Sequence, residues 1–199
     1  MTAKEIKFFS QEIWYHGTTL NEWKSICRNG IICNYNIGTS LDFGCGFYLS
    51  PSKSNTESYA INTAKYNLAE EEDANIPIVL EFNYTPLCDI EDENNVRYFA
   101  NYDEEFAKFV FECRKNYLSE NTHPYIITAG VMTDTFPAKV MQEYFSGERT
   151  MNSVVEEFKK GTSRKQLCLH TQRLCDKLVL SKAYIVNGKE LDINEFTKK

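Results

Sequence analysis

Two glycines placed directly before an aromatic run constrain this chain more than any other feature. The segment reads Asp42-Phe43-Gly44-Cys45-Gly46-Phe47-Tyr48-Leu49-Ser50. A Gly-x-Gly loop lets a backbone approach a ligand closely, but the third glycine and the helix of a dinucleotide-binding fingerprint are missing here. The glycines instead precede a predicted strand, on which Phe47 and Tyr48 point to opposite faces. One ring can then face a pocket while the other joins the core.

Length and composition fit one ordinary domain. The chain has 199 residues, of which 42% are apolar and 25% charged, as in a globular protein with a core. A chain of this size buries roughly 70% of its unfolded surface and can support a cleft. We expect a polar N-terminal lead-in over residues 1–12 and a single domain over residues 13–199.

Charge and cysteine content restrict the partners and the compartment. The net charge is −6, so no global positive field would recruit nucleic acid or a membrane. The seven cysteines contain no Cys-x-x-Cys pair, and no ligand spacing links the histidines, so we expect no metal site. Without a charged-then-apolar leader or a long apolar run, the sequence predicts a cytoplasmic protein.

Predicted strands and helices are mixed without regular βαβ alternation, which indicates an α+β fold. The glycines, prolines and apolar spacing mark the element boundaries. We expect strands at 13–17, 46–50, 76–84, 125–131, 166–170 and 180–186, and helices from 18 or 19 to 30, at 55–69, 102–118, 138–145 and 151–160, with a short one ending near 178.

Tyr15-His16-Gly17 predicts a candidate binding point at the end of the first strand. Gly17 would let a ligand use both its N–H and its C=O, as a carboxamide requires. His16 can donate to or accept from a ribose hydroxyl. The alternative is a satisfied histidine in a turn, which an isolated His-Gly pair does not exclude.

Two tyrosines predict a clamp for a planar ring. Tyr48 lies on the second strand, and Tyr59 lies on the helix that the Ser-Pro-Ser turn returns toward it. Such rings can flank a flat ligand, with offset stacking worth about 0.5–1.5 kcal/mol beyond area burial. In a chain with 12 tyrosines, the alternative is that both are ordinary core or surface residues.

Taken together, these motifs resemble a known family. Tyr15-His16-Gly17-Thr18, Phe43-Gly44-x-Gly46-Phe47-Tyr48 and Ser52-Lys53-Ser54 with Tyr59 resemble the catalytic domain of ADP-ribosyltransferases of the diphtheria-toxin and poly-ADP-ribose-polymerase type. Over residues 13 to 180 the chain is similar to a small bacterial family catalogued as a domain of unknown function and placed in that superfamily. The resemblance implies one domain with two packed, mostly antiparallel sheets flanked by helices around an NAD cleft.

The resemblance also implies site residues, with NAD as co-substrate. It implies that His16 bonds a ribose hydroxyl, that Gly17 holds the nicotinamide carboxamide, and that Tyr48 and Tyr59 sandwich the ring. The implied catalytic residues are His16, Tyr48 and Gln166. The implied NAD-binding residues are Tyr15, Gly17, Thr18, Gly46, Phe47, Thr56 and Tyr59. Arg114 is a further candidate, for the NAD diphosphate, because a guanidinium suits phosphate oxygens; the alternative is an exposed arginine paired with a neighbouring glutamate.

Gln166 departs from the family pattern, which has a glutamate at the matching late strand. Glutamine can orient a ribose but cannot act as a general base at neutral pH. This argues against chain elongation and for transfer of a single ADP-ribose, and it leaves an inactive homologue open. Asp134 is an alternative base, although an aspartate at that place also suits a turn.

The implied function is therefore an NAD-dependent mono-ADP-ribosyltransferase, of the glycosyltransferase class. The expected acceptor is a protein or nucleic acid, and bacterial toxin–antitoxin pairing would add a cognate antitoxin as a partner. A basic group at Lys159, Lys160, Arg164, Lys165 and Arg173 is a candidate acceptor surface, or else an ordinary solvated loop. Two alternatives remain: a non-catalytic module that binds NAD, ADP-ribose or a partner, and an RNA 2′-phosphotransferase-like enzyme.

Overall fold

The computed structural model describes residues 1–66, 72–120, 122–133, 136–161 and 164–194. Within them the protein is α+β with two β-sheets, as the sequence predicts. The chain divides into two compact units. The first unit comprises Met1–Ile32, Tyr48–Glu91 and Gln172–Lys199, and the second comprises Cys33–Phe47 and Asp92–Thr171.

The elements in chain order are as follows. They are α1 (Ala3–Phe9), β1 (Ile13–Thr19), α2 (Leu20–Asn29), β2 (Phe47–Leu49), α3 (Lys53–Tyr66), β3 (Pro77–Asn83), β4 (Val96–Phe99), α4 (Glu104–Lys115), β5 (Ile127–Val131), α5 (Pro137–Phe145), α6 (Met151–Phe158), β6 (Lys165–Leu169), α7 (Gln172–Cys175) and β7 (Val179–Ile185). Short 3-10 turns lie at Glu72–Asn75, Pro86–Asp89 and Glu93–Asn95.

The first unit contains an antiparallel sheet in the order β1-β3-β7. Its strands alternate, so Trp14, His16 and Thr18 of β1 share one face, and Tyr15 and Gly17 share the other. On the second face α3 supplies Ala60, which packs in a buried cluster with Val79 of β3 and Val186. This packing holds α3 beside the glycine of β1.

The N-terminal residues differ from the polar lead-in that the sequence predicts. Thr2 and Glu5 form a capping box that begins α1, and this helix buries Phe8 and Phe9. Phe8 packs edge-on against Trp14, with the ring centroids 5.3 Å apart. The Thr-x-x-Glu spacing is typical of a helix start. The apolar run that follows it is too short to predict a helix from the sequence.

In the second unit β6, β5 and β4 are neighbours in that order. β5 and β6 are antiparallel, while β4 and β5 are parallel and are connected through α4. Asp103 caps α4 by accepting from Phe106 N–H (2.8 Å). Phe106 then packs fully buried between Phe99 and Phe158, with centroid separations of 5.5 and 6.1 Å.

Most predicted elements are confirmed with shifted ends. Gly30, at φ 76°, ends α2 as expected. The first strand, in contrast, does not stop at Gly17 but continues to Thr19, because it stays paired with β3 as far as Pro77. β4 was missed, since four residues that include Arg97 give no apolar alternation. Among the described residues, no helix has both the length and the apolar character needed to cross a membrane.

Gly130 provides a test of the second unit's sheet. It lies opposite Phe99, and a Cβ there would stand 2.0 Å from Phe99 O. Gly38 also has a positive φ, 88°, but nothing lies within 4 Å of its Cβ position. We expect Gly130→Ala to lower the free energy of unfolding by at least about 2 kcal/mol more than Gly38→Ala, because only the first substitution overpacks. Urea unfolding measures both, and equal losses would contradict the pairing of β4 with β5.

Candidate functional site

The outer edge of β1 is the place where the predicted site begins. Tyr15 and Ser50 form an isolated antiparallel bridge, in which Tyr15 N–H donates to Ser50 O (2.9 Å) and Ser50 N–H donates to Tyr15 O (2.8 Å). Since backbone groups alternate in direction along a strand, Gly17 points its N–H and C=O toward the same edge. Within the described part of the chain the bridge does not extend to Gly17. This edge therefore opens at the glycine.

His16 contacts the strand that faces this opening. Its Nδ1 lies 2.8 Å from Tyr48 O, and a carbonyl can only accept, so Nδ1 carries the proton. Nε2 is then an acceptor. Burial lowers the pKa of His16, more than the bond to Tyr48 raises it. The imidazole is thus neutral near pH 7, with fixed donor and acceptor positions.

The bond from His16 has a consequence for Gly17. In the register set by Tyr15 and Ser50, the residue opposite Gly17 is Tyr48. A continuing ladder would pair the Tyr48 carbonyl with Gly17 N–H, but the carbonyl accepts from the imidazole instead. A side chain has taken the place of the backbone donor, and the Gly17 N–H keeps its direction toward the open edge.

Gly17 also packs closely against α3. A Cβ at this position would lie 2.9 Å from Thr56 O and 3.1 Å from Tyr59 Cδ1. Real Cβ atoms do not approach a backbone carbonyl so closely, so β1 and α3 require glycine here. Tyr59 nevertheless keeps 54% of its surface exposed. Its ring therefore stands beside the glycine backbone and open to solvent.

These contacts bring together five of the predicted site residues, all in the first unit. We call them the Gly17 edge: His16, Gly17, Tyr48, Thr56 and Tyr59. His16 lies on one face of β1, and Thr56 and Tyr59 lie on the other. Thr56 is buried and its hydroxyl donates to Ser52 O (2.9 Å), so it can still accept from an amide N–H. Its contact with the carboxamide stays a prediction.

Packing surrounds the side chains of Tyr15 and Thr18, which the sequence also places at the NAD site. The Tyr15 ring packs on Ala60 and Val79, and burial raises the pKa of its phenol, with Glu81 and Glu57 adding to the rise. Thr18 is buried on the face of β1 that carries His16. Their predicted roles toward NAD stay predictions, and packing accounts for both side chains.

Gly46 and Phe47, which the sequence places at the NAD site, belong to the second unit. A Cβ at Gly46 would lie 2.5 Å from Cys168 Sγ and 2.7 Å from Leu169 O, both on β6. Phe47 is buried. Glycine is therefore required at position 46 because the chain passes close to β6 there. The predicted contacts of Gly46 and Phe47 with NAD stay predictions.

Arg114 binds Asp42 and the backbone of Ser40, a pairing that the sequence did not predict. Its Nε and Nη2 donate to Asp42 Oδ1 (3.0 and 2.6 Å), and its Nη1 donates to Ser40 O (2.8 Å). Asp42 also accepts from the backbone N–H of Thr133 (2.7 Å) and from its hydroxyl. The guanidinium fixes the start of the glycine loop, and its contact with the NAD diphosphate stays a prediction.

Gln166 lies on β6 opposite Gly130, in the second unit. The residue is 8% exposed, and among the described residues its Nε2 has no hydrogen-bond partner. A buried donor without a partner costs about 1–3 kcal/mol, so a ligand oxygen that satisfied it would be favoured. This suits a residue that orients a hydroxyl.

The remaining candidates do not form a surface of free cations. Lys159 pairs with Glu156 (2.7 Å) and Lys160 with Glu157 (2.8 Å). Lys165 donates to Tyr98 OH (2.7 Å). The predicted basic group is therefore largely compensated by neighbouring side chains. Asp134, the alternative base, lies outside the described residues.

A comparison with known families places the chain. A family model described as a protein of unknown function, DUF3990, matches residues 15–180, which include the Gly17 edge and Gln166. The chain belongs to the DUF3990 family. No curated protein and no solved structure matches it.

In this DUF3990 protein, side chains hold the backbone of the glycine loop, which sequence reasoning missed. His123 Nε2 donates to Phe43 O (3.1 Å), and His170 Nδ1 donates to Cys45 O (2.7 Å). Asn36 bonds both backbone groups of Gly46. The signal in the sequence was the pair of glycines between bulky residues, which predicts a loop. The carbonyls of a loop that lacks regular strand pairing need side-chain donors.

The burial of the loop histidines predicts that the folded protein loses stability as the pH falls. Burial, with a smaller effect of His123, lowers the pKa of His170 to about 3. An unfolded histidine, with a pKa of about 6.5, takes up a proton as the pH falls, while folded His170 does not. Its stabilisation is therefore complete above pH 6.5 and is lost progressively toward pH 3. We expect about 2 kcal/mol to be lost between pH 7 and pH 5 from this residue.

His170→Gln separates this effect from that of the acidic residues. The variant should be less stable at pH 7, because Gln cannot reproduce both ring bonds, to Cys45 O and Thr128 Oγ1. Its loss between pH 7 and pH 5 should be smaller than that of the unsubstituted protein by the same amount. Urea unfolding at several pH values gives both slopes, and parallel curves would contradict the assignment.

Proposed function

We propose that this DUF3990 protein is an NAD-dependent mono-ADP-ribosyltransferase that breaks the nicotinamide–ribose bond and transfers one ADP-ribose to an acceptor. The observation that supports this most is the Gly17 edge itself. An open glycine backbone, a neutral imidazole and two tyrosines occur within one unit, at neighbouring positions. Each suits one part of a nicotinamide riboside.

The glycine backbone suits the carboxamide. NAD would supply a cationic nicotinamide ring that leaves as neutral nicotinamide. The carboxamide on this ring has one acceptor and two donors. Gly17 directs one N–H and one C=O to the open edge of β1, so the two groups can form a matched pair of bonds. The arrangement is that of an added strand, in which the amide takes the place of a backbone partner.

The histidine suits the ribose. Because Nδ1 is committed to Tyr48 O, His16 offers Nε2 as an acceptor for a hydroxyl hydrogen. A neutral imidazole also avoids placing a second positive charge beside a cationic ring. Its role is orientation rather than proton transfer, since its lowered pKa makes it a weak base.

The two tyrosines suit the planar ring. The Tyr59 ring is held against Gly17 by α3, and the backbone that carries the Tyr48 ring is held by the bond from His16 to the Tyr48 carbonyl. Stacking on a ring whose position is already fixed, as that of Tyr59 is, costs little side-chain entropy at binding. It is worth about 0.5–1.5 kcal/mol per pair and confines the reacting bond to one geometry.

Gln166 limits the reaction to a single transfer. Its amide can donate to a hydroxyl, as its unpartnered Nε2 would favour, but it cannot remove a proton from an acceptor. An acceptor that is already nucleophilic, such as a carboxylate or thiolate, would need no base. Its place as the third catalytic residue stays a prediction.

Nicotinamide release tests the proposal directly. With water as the acceptor, oxygen bonds to the ribose carbon, the ribose–nitrogen bond breaks, nicotinamide leaves and a proton goes to the solvent. We expect the protein to release nicotinamide from NAD, and His16→Ala and Tyr48→Ala to lower kcat/KM by about 100-fold, as misplacement of the reacting groups does. Chromatography of the nicotinamide formed provides the measurement.

Tyr59 and Tyr66 provide a matched pair of variants. Both are exposed tyrosines of α3, and the Tyr59 ring lies against Gly17. Tyr59→Ala should lower kcat/KM about tenfold through lost stacking, and Tyr66→Ala should leave it unchanged. Equal nicotinamide release by all variants would refute the site. Tight NAD binding without release, measured by calorimetry, would replace the transferase with a binding module.

A further inference from the structure

The backbone of Gly46 is held at both of its polar groups by one side chain. Asn36 Nδ2 donates to Gly46 O (2.7 Å), and Gly46 N–H donates to Asn36 Oδ1 (3.1 Å). Asn36 is half-buried, and both residues belong to the second unit. The carboxamide thus bonds Gly46 as a neighbouring strand would, with one donor and one acceptor.

The other side of Gly46 leaves no room for adjustment. A Cβ there would meet Cys168 Sγ, Leu169 O and His170 Nδ1 within 2.9 Å. The glycine is therefore confined between β6 and the Asn36 amide. With both backbone groups bonded, rotation of the Gly46 peptide groups would break one bond or cause a clash. The direction in which the chain enters Phe47 and Tyr48 is fixed at this point.

We propose that Asn36 is a positioning residue for the nicotinamide site, acting through Gly46 on Tyr48. This inference rests on the proposed function, since Tyr48 lies two residues after Gly46 and carries both a stacking ring and the carbonyl that orients His16. A shift of the Gly46 peptide would move the ring and the carbonyl together.

The residue type at position 36 follows from this role. Only a carboxamide offers a donor and an acceptor on one short, planar group. Aspartate could still accept from Gly46 N–H, but its second oxygen would face the Gly46 carbonyl, where two acceptors repel. Alanine would remove both bonds and leave space. The two substitutions therefore remove different parts of one interaction.

Asn34 gives a matched control. It is an asparagine two residues earlier in the same loop, and its Nδ2 donates to Glu120 Oε1 (3.0 Å) at an exposed position. Asn34→Ala removes a side-chain bond of similar length without touching Gly46. Any general effect of loosening this loop would be shared by the two alanine variants.

The first experiment measures NAD binding and nicotinamide release. We expect Asn36→Ala to lower kcat/KM for NAD about tenfold, which corresponds to the loss of one to two hydrogen bonds. Asn36→Asp should lose at least as much, and Asn34→Ala should match the unsubstituted protein. In a Tyr48→Ala background, Asn36→Ala should have no further effect, because residues that act through one another are not additive.

The second experiment needs no NAD. Amide hydrogen exchange of Gly46, followed by nuclear magnetic resonance, should become at least tenfold faster in Asn36→Ala and stay unchanged in Asn34→Ala. The melting temperatures of the two alanine variants should be similar, which separates local release of Gly46 from global unfolding.

Four outcomes would count against the inference. Additive effects of Asn36→Ala and Tyr48→Ala, or equal kinetics of Asn36→Ala and Asn34→Ala in a protein that releases nicotinamide, would overturn it alone. Unchanged exchange at Gly46 would overturn the structural link. Absence of NAD binding by the unsubstituted protein would overturn the proposed function, and this inference with it.

Discussion

The rest of the site depends on a strand pairing that ends after one residue pair. Tyr15 and Ser50 exchange two backbone bonds, and the next position in that register holds Gly17 and Tyr48. His16 satisfies the Tyr48 carbonyl from its side chain, which relieves the backbone of that task. A hydrogen bond of this kind contributes about 0.5–1.5 kcal/mol, so the imidazole stabilises the open edge. One residue therefore lets the edge open and also offers an acceptor there.

The glycine loop follows the same physical rule in the second unit. Asp42 to Gly46, directly before β2, includes Gly44 at φ 75°, and no regular ladder is available to the carbonyls of such a path. Imidazoles bond Phe43 O and Cys45 O, an amide bonds Gly46, and Arg114 and Thr133 hold Asp42. Apart from Asn36, which is ten residues from Gly46, each donor is at least 72 residues away along the chain. The loop is consequently as well determined as a strand, although it is not one.

Local signals predicted much of the fold, and non-local pairings explain what they missed. Gly30 located the end of α2, and apolar spacing located α4, because those signals lie within a few residues of each other, although Thr19 makes no side-chain cap bond. The pairing of β1 past Gly17 and the short β4 depend on partners far along the chain. At the site, His16, Tyr48 and Tyr59 were predicted from motif resemblance. The engagement of Arg114 with Asp42 was not, because an arginine looks the same in sequence whether it binds a phosphate or a carboxylate 72 residues away.

All three histidines of the chain donate to carbonyls between residues 43 and 48, and burial lowers the pKa of each. They act as neutral, fixed donors rather than as acids or bases. Neither these histidines nor Gln166 on β6 can act as a general base at neutral pH. The proposed reaction would therefore depend mainly on the orientation of NAD. Orientation is sensitive to small displacements, since a 1 Å error can cost about 100-fold in rate. Residues that fix the loop therefore matter as much to the proposed chemistry as residues that would touch NAD.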